Sequence, residues 1–295
     1  MSAVPSSFTR KRLRFTFTLS QGGFGPDETQ LSTLTIQGLR ATVEIQKGGV
    51  MMSTLNAKVY GMRAADMNQL TMLGWRAMSI APNTVIIEAG DDTSGLSEIF
   101  RGQILNCWAD YSAQPDVFLN LEAQTAYFEQ IAPVAPRSYT GPTDVATAMA
   151  DIAARMGFSF ENNGVNVQLA SPYLPGAALL QAQRLAAAAG VDMLIDNGVL
   201  AIMPKGVSRP TPTVPVIDSA SGLVGYPVQD KMGLTFRCIY TPLIRLSGLV
   251  QVIPPGKTKA QQYYVYGLNY VLQSETPGGE WFTHVKCSEQ PHGPG

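Results

Sequence analysis

Apolar and polar residues alternate with a period of two over much of this chain, and that alternation predicts strands. The basic run Arg10-Lys-Arg-Leu-Arg14 leads into Phe15-Thr-Phe-Thr-Leu19, a first alternating segment, and Gln21–Pro26 is a loop by composition. Leu39, Ala41, Val43 and Ile45 then point one way, and Arg40, Thr42, Glu44 and Gln46 the other. Lys47-Gly-Gly reads as a turn, after which Leu55, Ala57 and Val59 resume the pattern, so a hairpin with one polar face is expected. Val59–Met62 ends a strand and Ala65–Thr71 makes a short helix. Strands follow at Thr84–Asp91, Phe100–Leu105 and Phe118–Ala123, at a spacing that suits a small barrel or sandwich.

The period changes beyond Pro133 and Pro136. A helix beginning at Thr143 places Val145, Met149, Ile152 and Met156 on one face and stops at Gly157. Residues 158–167 then read as two strands around the Asn163-Gly164 turn. A second helix, with Pro175 in its first turn, runs through Leu179 and Leu185 to Gly190, and Val191–Ile202 is a hairpin around Asn197-Gly198. The offset from Gly157 to Gly190 predicts a twofold helix–hairpin unit, too few copies for a solenoid.

A proline-rich bridge, Lys205–Pro215, leads to the stretch around which the C-terminal third is organised. There the corner Gly222-Leu-Val-Gly-Tyr-Pro227 feeds a strand with Leu234, Phe236, Cys238 and Tyr240 on one face and Thr235 and Arg237 on the other. Pro242 cannot donate to a ladder, so it is placed at a turn into a second, antiparallel strand over Leu243–Ile253. Tyr264, Tyr266, Leu268, Tyr270 and Leu272 are expected on one apolar face. The turn Pro277-Gly-Gly-Glu280 enters a last strand, Trp281–Cys287, and Ser288–Gly295 is expected to be loose.

At 295 residues the chain has room for two or three domains. Only 15% of residues are charged and the net charge is −1, which gives no drive toward nucleic acid or membrane; a low charge fraction suits a surface covered by partners. No run approaches the roughly 20 apolar residues of a membrane span, and Met1–Pro5 does not read as a signal peptide. The three cysteines, Cys107, Cys238 and Cys287, have no pairing logic, so assembly in a reducing cytoplasm is expected.

Catalytic patterns are weak. The two histidines are His284, in a strand, and His292, and no Gly-x-Ser-x-Gly elbow supports a triad. Gly256-Lys-Thr258 imitates the end of a phosphate loop, but Gln251 stands where its first glycine belongs. Asp91-Asp92 ends a strand at a turn, and no His/Cys cluster has zinc spacing. The basic run at Arg10 reads as a solvated strand flank, and the tyrosines from Tyr263 to Tyr270 as a core stripe rather than a stacking platform for bases or sugars.

Several phrases, in order, resemble baseplate hub proteins of contractile-tailed bacteriophages, a tube-fold family related to the N-terminal part of type VI secretion spike proteins. They are Tyr60-Gly-Met62, Asp66-Met-Asn-Gln-Leu-Thr71, Ala89-Gly-Asp91, Phe100-Arg-Gly-Gln-Ile104, Asp116-Val-Phe-Leu-Asn-Leu-Glu-Ala123, the Gly222 corner, and Pro277-Gly-Gly-Glu-Trp-Phe-Thr283. The resemblance spans about Leu34 to Thr283. It implies an α+β, mainly β chain with two tube-type antiparallel β-barrel domains, 1–130 and 206–295, flanking a helix-containing middle, 131–205. It further implies a non-enzymatic homotrimeric ring without a cofactor, between the sixfold tail tube, or a tube-initiator protein, and a threefold central spike. Wedge and baseplate proteins would surround it, tape-measure protein and DNA would pass through as cargo, and no membrane contact is implied. A tail-associated cell-wall hydrolase and the hub of a type VI-like injection machine are the competing readings. The polar set Arg40, Thr42, Glu44, Gln46, Thr235 and Arg237 is expected at subunit contacts or on the lumen.

Thiol counting by intact mass, under denaturing and non-reducing conditions, should find three free cysteines. One intrachain bridge would contradict assembly in a reducing compartment.

Overall fold

The structure is a computed structural model, and it describes residues 9–24, 32–48, 52–71, 82–112, 114–229 and 231–289. The N-terminal part is built of β1 (Lys11–Thr18), β2 (Thr33–Gln37), β3 (Ala41–Gly48), β4 (Thr54–Tyr60), α1 (Ala64–Leu70), β5 (Thr84–Asp91), β6 (Gly95–Asp110) and β7 (Phe118–Gln124). The centre holds α2 (Tyr127–Ile131), β8 (Arg137–Ser138), β9 (Pro142–Asp144), α3 (Val145–Arg155), β10 (Ser159–Asn162), β11 (Gln168–Ala170), β12 (Tyr173–Leu174), α4 (Ala178–Ala189), β13 (Val191–Asp196) and β14 (Val199–Pro204). The C-terminal part supplies β15 (Val216–Ile217), β16 (Leu223–Gln229), β17 (Leu234–Ile239), β18 (Leu249–Val252), β19 (Gln261–Ser274) and β20 (Trp281–Ser288). The class is α+β and mainly β, as expected.

Both strand-rich ends enter one sheet. Its main path runs β16-β17-β20-β19-β3-β4-β7-β6-β5-β1-β2, with β18 beside β19 and β15 beside β18. The seam between the two ends is the antiparallel pair β19–β3, in register from Gly267 opposite Gly48 to Ser274 opposite Ala41. The alternation read from sequence puts Ala41, Val43 and Ile45 of β3, Leu55, Ala57 and Val59 of β4, and Phe236 and Cys238 of β17 into one shared apolar core. A second core lies among residues from Ala126 to Ile202, where Val145, Met149 and Ile152 of α3 meet Leu179, Ala182 and Leu185 of α4. Asp144 caps α3 by accepting from the Thr147 N–H at 2.9 Å, and Gly190, at φ 64°, ends α4 in the left-handed conformation.

Five local expectations are corrected. The first Asn-Gly segment is not a hairpin: β10 pairs parallel with β14, and the chain turns away after Asn162. The Asn162 side chain closes that turn, accepting from the Val165 N–H at 2.8 Å and donating to the Val165 carbonyl at 3.0 Å. Only the second unit is a helix–hairpin, with β13 and β14 joined across Asn197 and Gly198, both at positive φ, so the repeat is not structural. Second, the helices start at Val145 and Ala178 rather than at Thr143 and Pro175, because the preceding residues are drawn into β9 and a bend. Third, β17 does not pair across Pro242; its neighbours are β16 and β20, and of Leu243–Ile253 only β18 is a strand, lying between β15 and β19.

The fourth correction concerns β19. A bulge between Val265 and Gly267 inserts one residue and reverses the parity of the strand. Tyr263 and Val265 are buried before it and Leu268, Tyr270 and Leu272 after it, so Tyr264 and Tyr266 leave the apolar face. Fifth, Lys47 and Gly48 belong to β3 rather than to a turn, and Lys47 is buried. Gly49, like Gly25, Pro26, His292 and most of the tail expected to be loose, lies outside the described residues; Ser288 ends β20. The cysteines are free and buried, each in a strand.

Gly48 is where the seam is tightest. It sits at φ 98°, and a Cβ there would run into the Tyr266 carbonyl and come within 2.9 Å of the Gly267 Cα. Both obstacles are backbone. Gly48→Ala should therefore destabilise the fold by more than the ~1–2 kcal/mol of a left-handed non-glycine residue, read as a lower urea midpoint; an unchanged midpoint would refute the close approach at the seam.

Candidate functional site

The side of the sheet that faces away from the core is polar, and its residues line up across strands drawn from both ends of the chain. In one row Arg237, His284, Asn269, Gln46, Thr54 and Gln124 lie opposite one another on β17, β20, β19, β3, β4 and β7. The next row is Phe282, Val271, Glu44, Asn56, Glu122 and Asn106. A third is Gln273, Thr42, Lys58, Asn120 and Trp108. Opposite residues of antiparallel strands share a face, so these rows form one continuous surface.

The structure thus brings together residues that the sequence put in two separate groups. Thr42, Glu44 and Gln46 lie on the same face as Thr235 and Arg237, joined through β19 and β20. Arg40 stands at the rim just before β3, its guanidinium 3.9 Å from the centre of the Tyr60 ring and 3.0 Å from the Asp116 carboxylate. Arg237 lies over the Phe282 ring at 4.7 Å. The charges in the three rows offset one another, Arg237 and Lys58 against Glu44 and Glu122. Amides occupy these carboxylates: Asn106 donates to Glu122 at 2.6 Å, and Asn269 and Gln46 each approach Glu44 at 3.4 Å. A shallow hollow of about 500 Å³ lies on this face, lined by Thr42, Glu44, Asn56, Lys58, Trp108 and Glu122 among others.

His284 is half-buried in the first row. Burial, and then the Arg237 charge opposite it, hold its imidazole below the ordinary value, so it is neutral at physiological pH. The residues directly opposite it, Arg237 and Asn269, are not nucleophiles. Among the described residues no group of three or more His, Cys, Asp or Glu side chains could hold a metal ion. The Asp91-Asp92 pair is a turn feature: Asp91 accepts from the N–H groups of Thr93 at 2.8 Å and Ser94 at 2.7 Å, and Asp92 takes Arg12 at 2.8 Å. The basic flank of β1 is likewise matched by acids, with Arg10 on Glu275 and Arg14 on Glu88.

A charged cluster that the sequence reading missed braces the sheet against the centre. Lys47 donates to Asp196 at 2.6 Å and to Asn197 at 2.8 Å, at the tip of the β13–β14 hairpin. Arg209, from the proline-rich bridge, reaches Asp196 at 3.6 Å and pairs with Glu161 of β10 at 2.6 Å. Asn197 also donates to the Glu98 carbonyl of β6 at 3.0 Å. Lys47 follows Ile45 at the inward parity of β3, and that spacing was the available signal; the glycines after it masked the signal as a turn.

A family model described as "Baseplate hub gp41" matches residues 12–287. The chain belongs to the baseplate hub gp41 family. It is therefore a structural component of a phage tail baseplate, placed in the virion tail. Among solved structures, a prophage MuSo2 43 kDa tail protein from Shewanella oneidensis is similar at a TM-score of 0.61 and 10% identity, over 96% of this chain and 97% of that one. A tail protein from Neisseria meningitidis MC58 is similar at 0.59 and 12% identity, over 92% and 96%. A chain in a Francisella PdpA-VgrG complex is similar at 0.52 and 8% identity, over 97% of this chain and 60% of that one. At such identities the likeness concerns the fold. No curated protein matches.

Breaking a buried ion pair by removing one partner costs about 3–5 kcal/mol, so Lys47→Ala should lower stability by about that amount, measured by urea unfolding. The Glu161 carboxylate is held below its ordinary value of 4.5, first by the Arg209 hydrogen bond. Its folded value is depressed, so its stabilisation is complete above the ordinary value and is lost as pH falls through the folded one. Glu161→Gln should flatten the acid side of the stability profile below about pH 4.5; an unaltered profile would show that this ion pair does not contribute.

Proposed function

We propose that this hub protein is a homotrimeric ring that adapts the sixfold tail tube, or a tube-initiator protein, to a threefold central spike of a contractile tail. In this reading the strand sets of 1–130 and 206–295 are two tube-type units, and 131–205 is a middle domain on their outer side. Three chains then present six similar units, which matches a sixfold partner on one side and a threefold partner on the other. The polar face lines the lumen, tape-measure protein and then DNA pass along it as cargo, and wedge and baseplate proteins hold the ring from outside. The chain assembles in the host cytoplasm and carries no catalytic role.

The observation that supports this reading is the continuous polar face crossing from β17 to β6 with few and balanced charges. An open surface normally carries more charge. A strongly positive lumen would hold DNA by its phosphates, whereas neutralised charges let it slide. A closed threefold ring is heterologous, with one patch meeting a different patch on its neighbour. The hub of a type VI-like injection machine shares the architecture, and the fold likeness to the Francisella chain keeps it as the second reading. No observation favours the cell-wall hydrolase.

Reversing Arg40 and Arg237 together to Glu should weaken trimerisation or tube binding while the monomer stays folded, read by native mass and by co-sedimentation with tubes. His284→Ala, in contrast, should leave assembly and infection near normal. A double mutant that trimerises and binds both partners fully would remove these residues from the contacts. A His284→Ala phage with normal particles and no infectivity would favour the hydrolase.

A further inference from the structure

One more row lies on the polar face, two residues along each strand from Arg237, His284, Asn269 and Gln46. It is made of Thr235, Lys286, Gly267 and Gly48, on β17, β20, β19 and β3. The period of two puts it on the same side of the sheet. Two of its four positions carry no side chain, and the face is hollowed there. The hollow measures about 450 Å³ and is bounded by Gln46, Thr235, Asn269, His284 and Lys286 around the two glycines. A Cβ on Gly267 would stand 3.4 Å from the Lys286 Cβ and 3.7 Å from its Cδ, so the lysine stem runs along this bare backbone.

The cations beside this hollow are not matched by acids. Arg10, Arg14, Arg40, Lys47 and Arg209 each meet a carboxylate. Arg237 and Lys286 form no ion pair among the described residues, and Arg237 rests on the Phe282 ring instead. Both stand next to His284: Arg237 faces it across the β17–β20 pair, and Lys286 follows it by two residues on β20. The carboxylates that act on the imidazole, Glu280 and Glu44, have less influence on it than burial and Arg237. Glu44 is itself approached by the amides of Asn269 and Gln46. The remaining charges of the face, Glu44, Lys58 and Glu122, lie on β3, β4 and β7. The face is therefore balanced as a whole and positive at its β17–β20 end. A lysine point charge, a guanidinium and an imidazole around an open hollow, with neutral polar groups between them, suit a phosphate oxyanion.

We propose that the hollow over Gly48 and Gly267 is a phosphate site, held by Lys286, Arg237 and His284, and that its ligand is a backbone phosphate of duplex DNA. The DNA source rests on the reading of the polar face as the lumen; the site itself belongs to a single copy. His284 is neutral while the hollow is empty, since a third positive charge beside Arg237 is unfavourable there. An arriving phosphate reverses that balance and stabilises the imidazolium. One site per copy touches the duplex at few phosphates. That centres DNA in the channel without the many contacts that would hold it fast.

The chain has two histidines, so in full-length protein carrying His292→Ala the imidazole signals belong to His284 alone. Its titration is followed by NMR on labelled histidine, first without ligand, then with inorganic phosphate, then with a short DNA duplex. Both ligands should raise the His284 pKa. Lys286→Ala should abolish the rise and Lys286→Arg should keep it, a pattern that a lysine with a merely structural role would not produce. The slope of log K for the duplex against log salt should also fall by about one for each copy engaged in Lys286→Ala. No rise with either ligand, or a rise unchanged in Lys286→Ala, overturns the site and leaves the ring reading standing. A rise with phosphate and none with the duplex overturns DNA as the source and leaves a site for free phosphate. A rise with the duplex in a chain that native mass shows as a monomer at every concentration supports the site and overturns the ring.

Discussion

The pairing of β3 with β19 is the constraint on which the rest of the structure depends. It joins strands separated by more than two hundred residues, and without it the two ends of the chain would be two sheets with two edges and no common face. Its eight-residue register is accommodated by Gly48, whose missing Cβ lets its backbone approach that of Tyr266 and Gly267, and by the bulge at Tyr266, which turns the rest of β19 to the correct parity. Backbone hydrogen bonds contribute only about 1 kcal/mol each net, so the seam is held chiefly by the core beneath it. Ile45, Val43, Leu268, Tyr270 and Leu272 from the two sides bury together there. A contact of such sequence separation is slow to form.

The centre has its own core and meets the sheet through apolar contacts, Leu194 against the sheet's core and Met52 against the central one, and through a polar cluster. Lys47, Asp196, Arg209 and Glu161 place two cations and two anions at that junction. Such clusters add little net stability because desolvation offsets the attraction, but each member is costly to remove and the hydrogen bonds fix one geometry. The cluster therefore sets where the hairpin tip sits against β3 and β6.

Much of the fold was legible in the alternation. Strands β3, β4, β5, β7, β17 and β20 stand where the period of two put them, because each has one buried face and the pattern must follow it. What was not legible was pairing. Pro242 suggested a turn between partners, yet β17 takes β16 and β20, since partner choice depends on contacts far away in sequence. The Asn163-Gly164 turn failed as a hairpin because its side chains close the turn locally and free β10 to join β14 in parallel. The parity change at Tyr266 was invisible, as a single inserted residue leaves no compositional mark. The polar face was legible as two fragments, around Thr42–Gln46 and around Thr235–Arg237, and its continuity was hidden with the pairing. Lys47 was lost because a lysine before two glycines resembles a turn whenever its partner, here Asp196, lies far along the chain.

Membership of the baseplate hub family and the single polar-faced sheet lead to one central claim, that copies of this chain enclose a polar channel. Electron microscopy of the purified assembly tests it most directly. Class averages down the axis should show a closed threefold ring with an open centre and six similar lobes around it. Averages showing a solid particle, an open chain of copies, or single copies at concentrations that fill the grid would contradict the account.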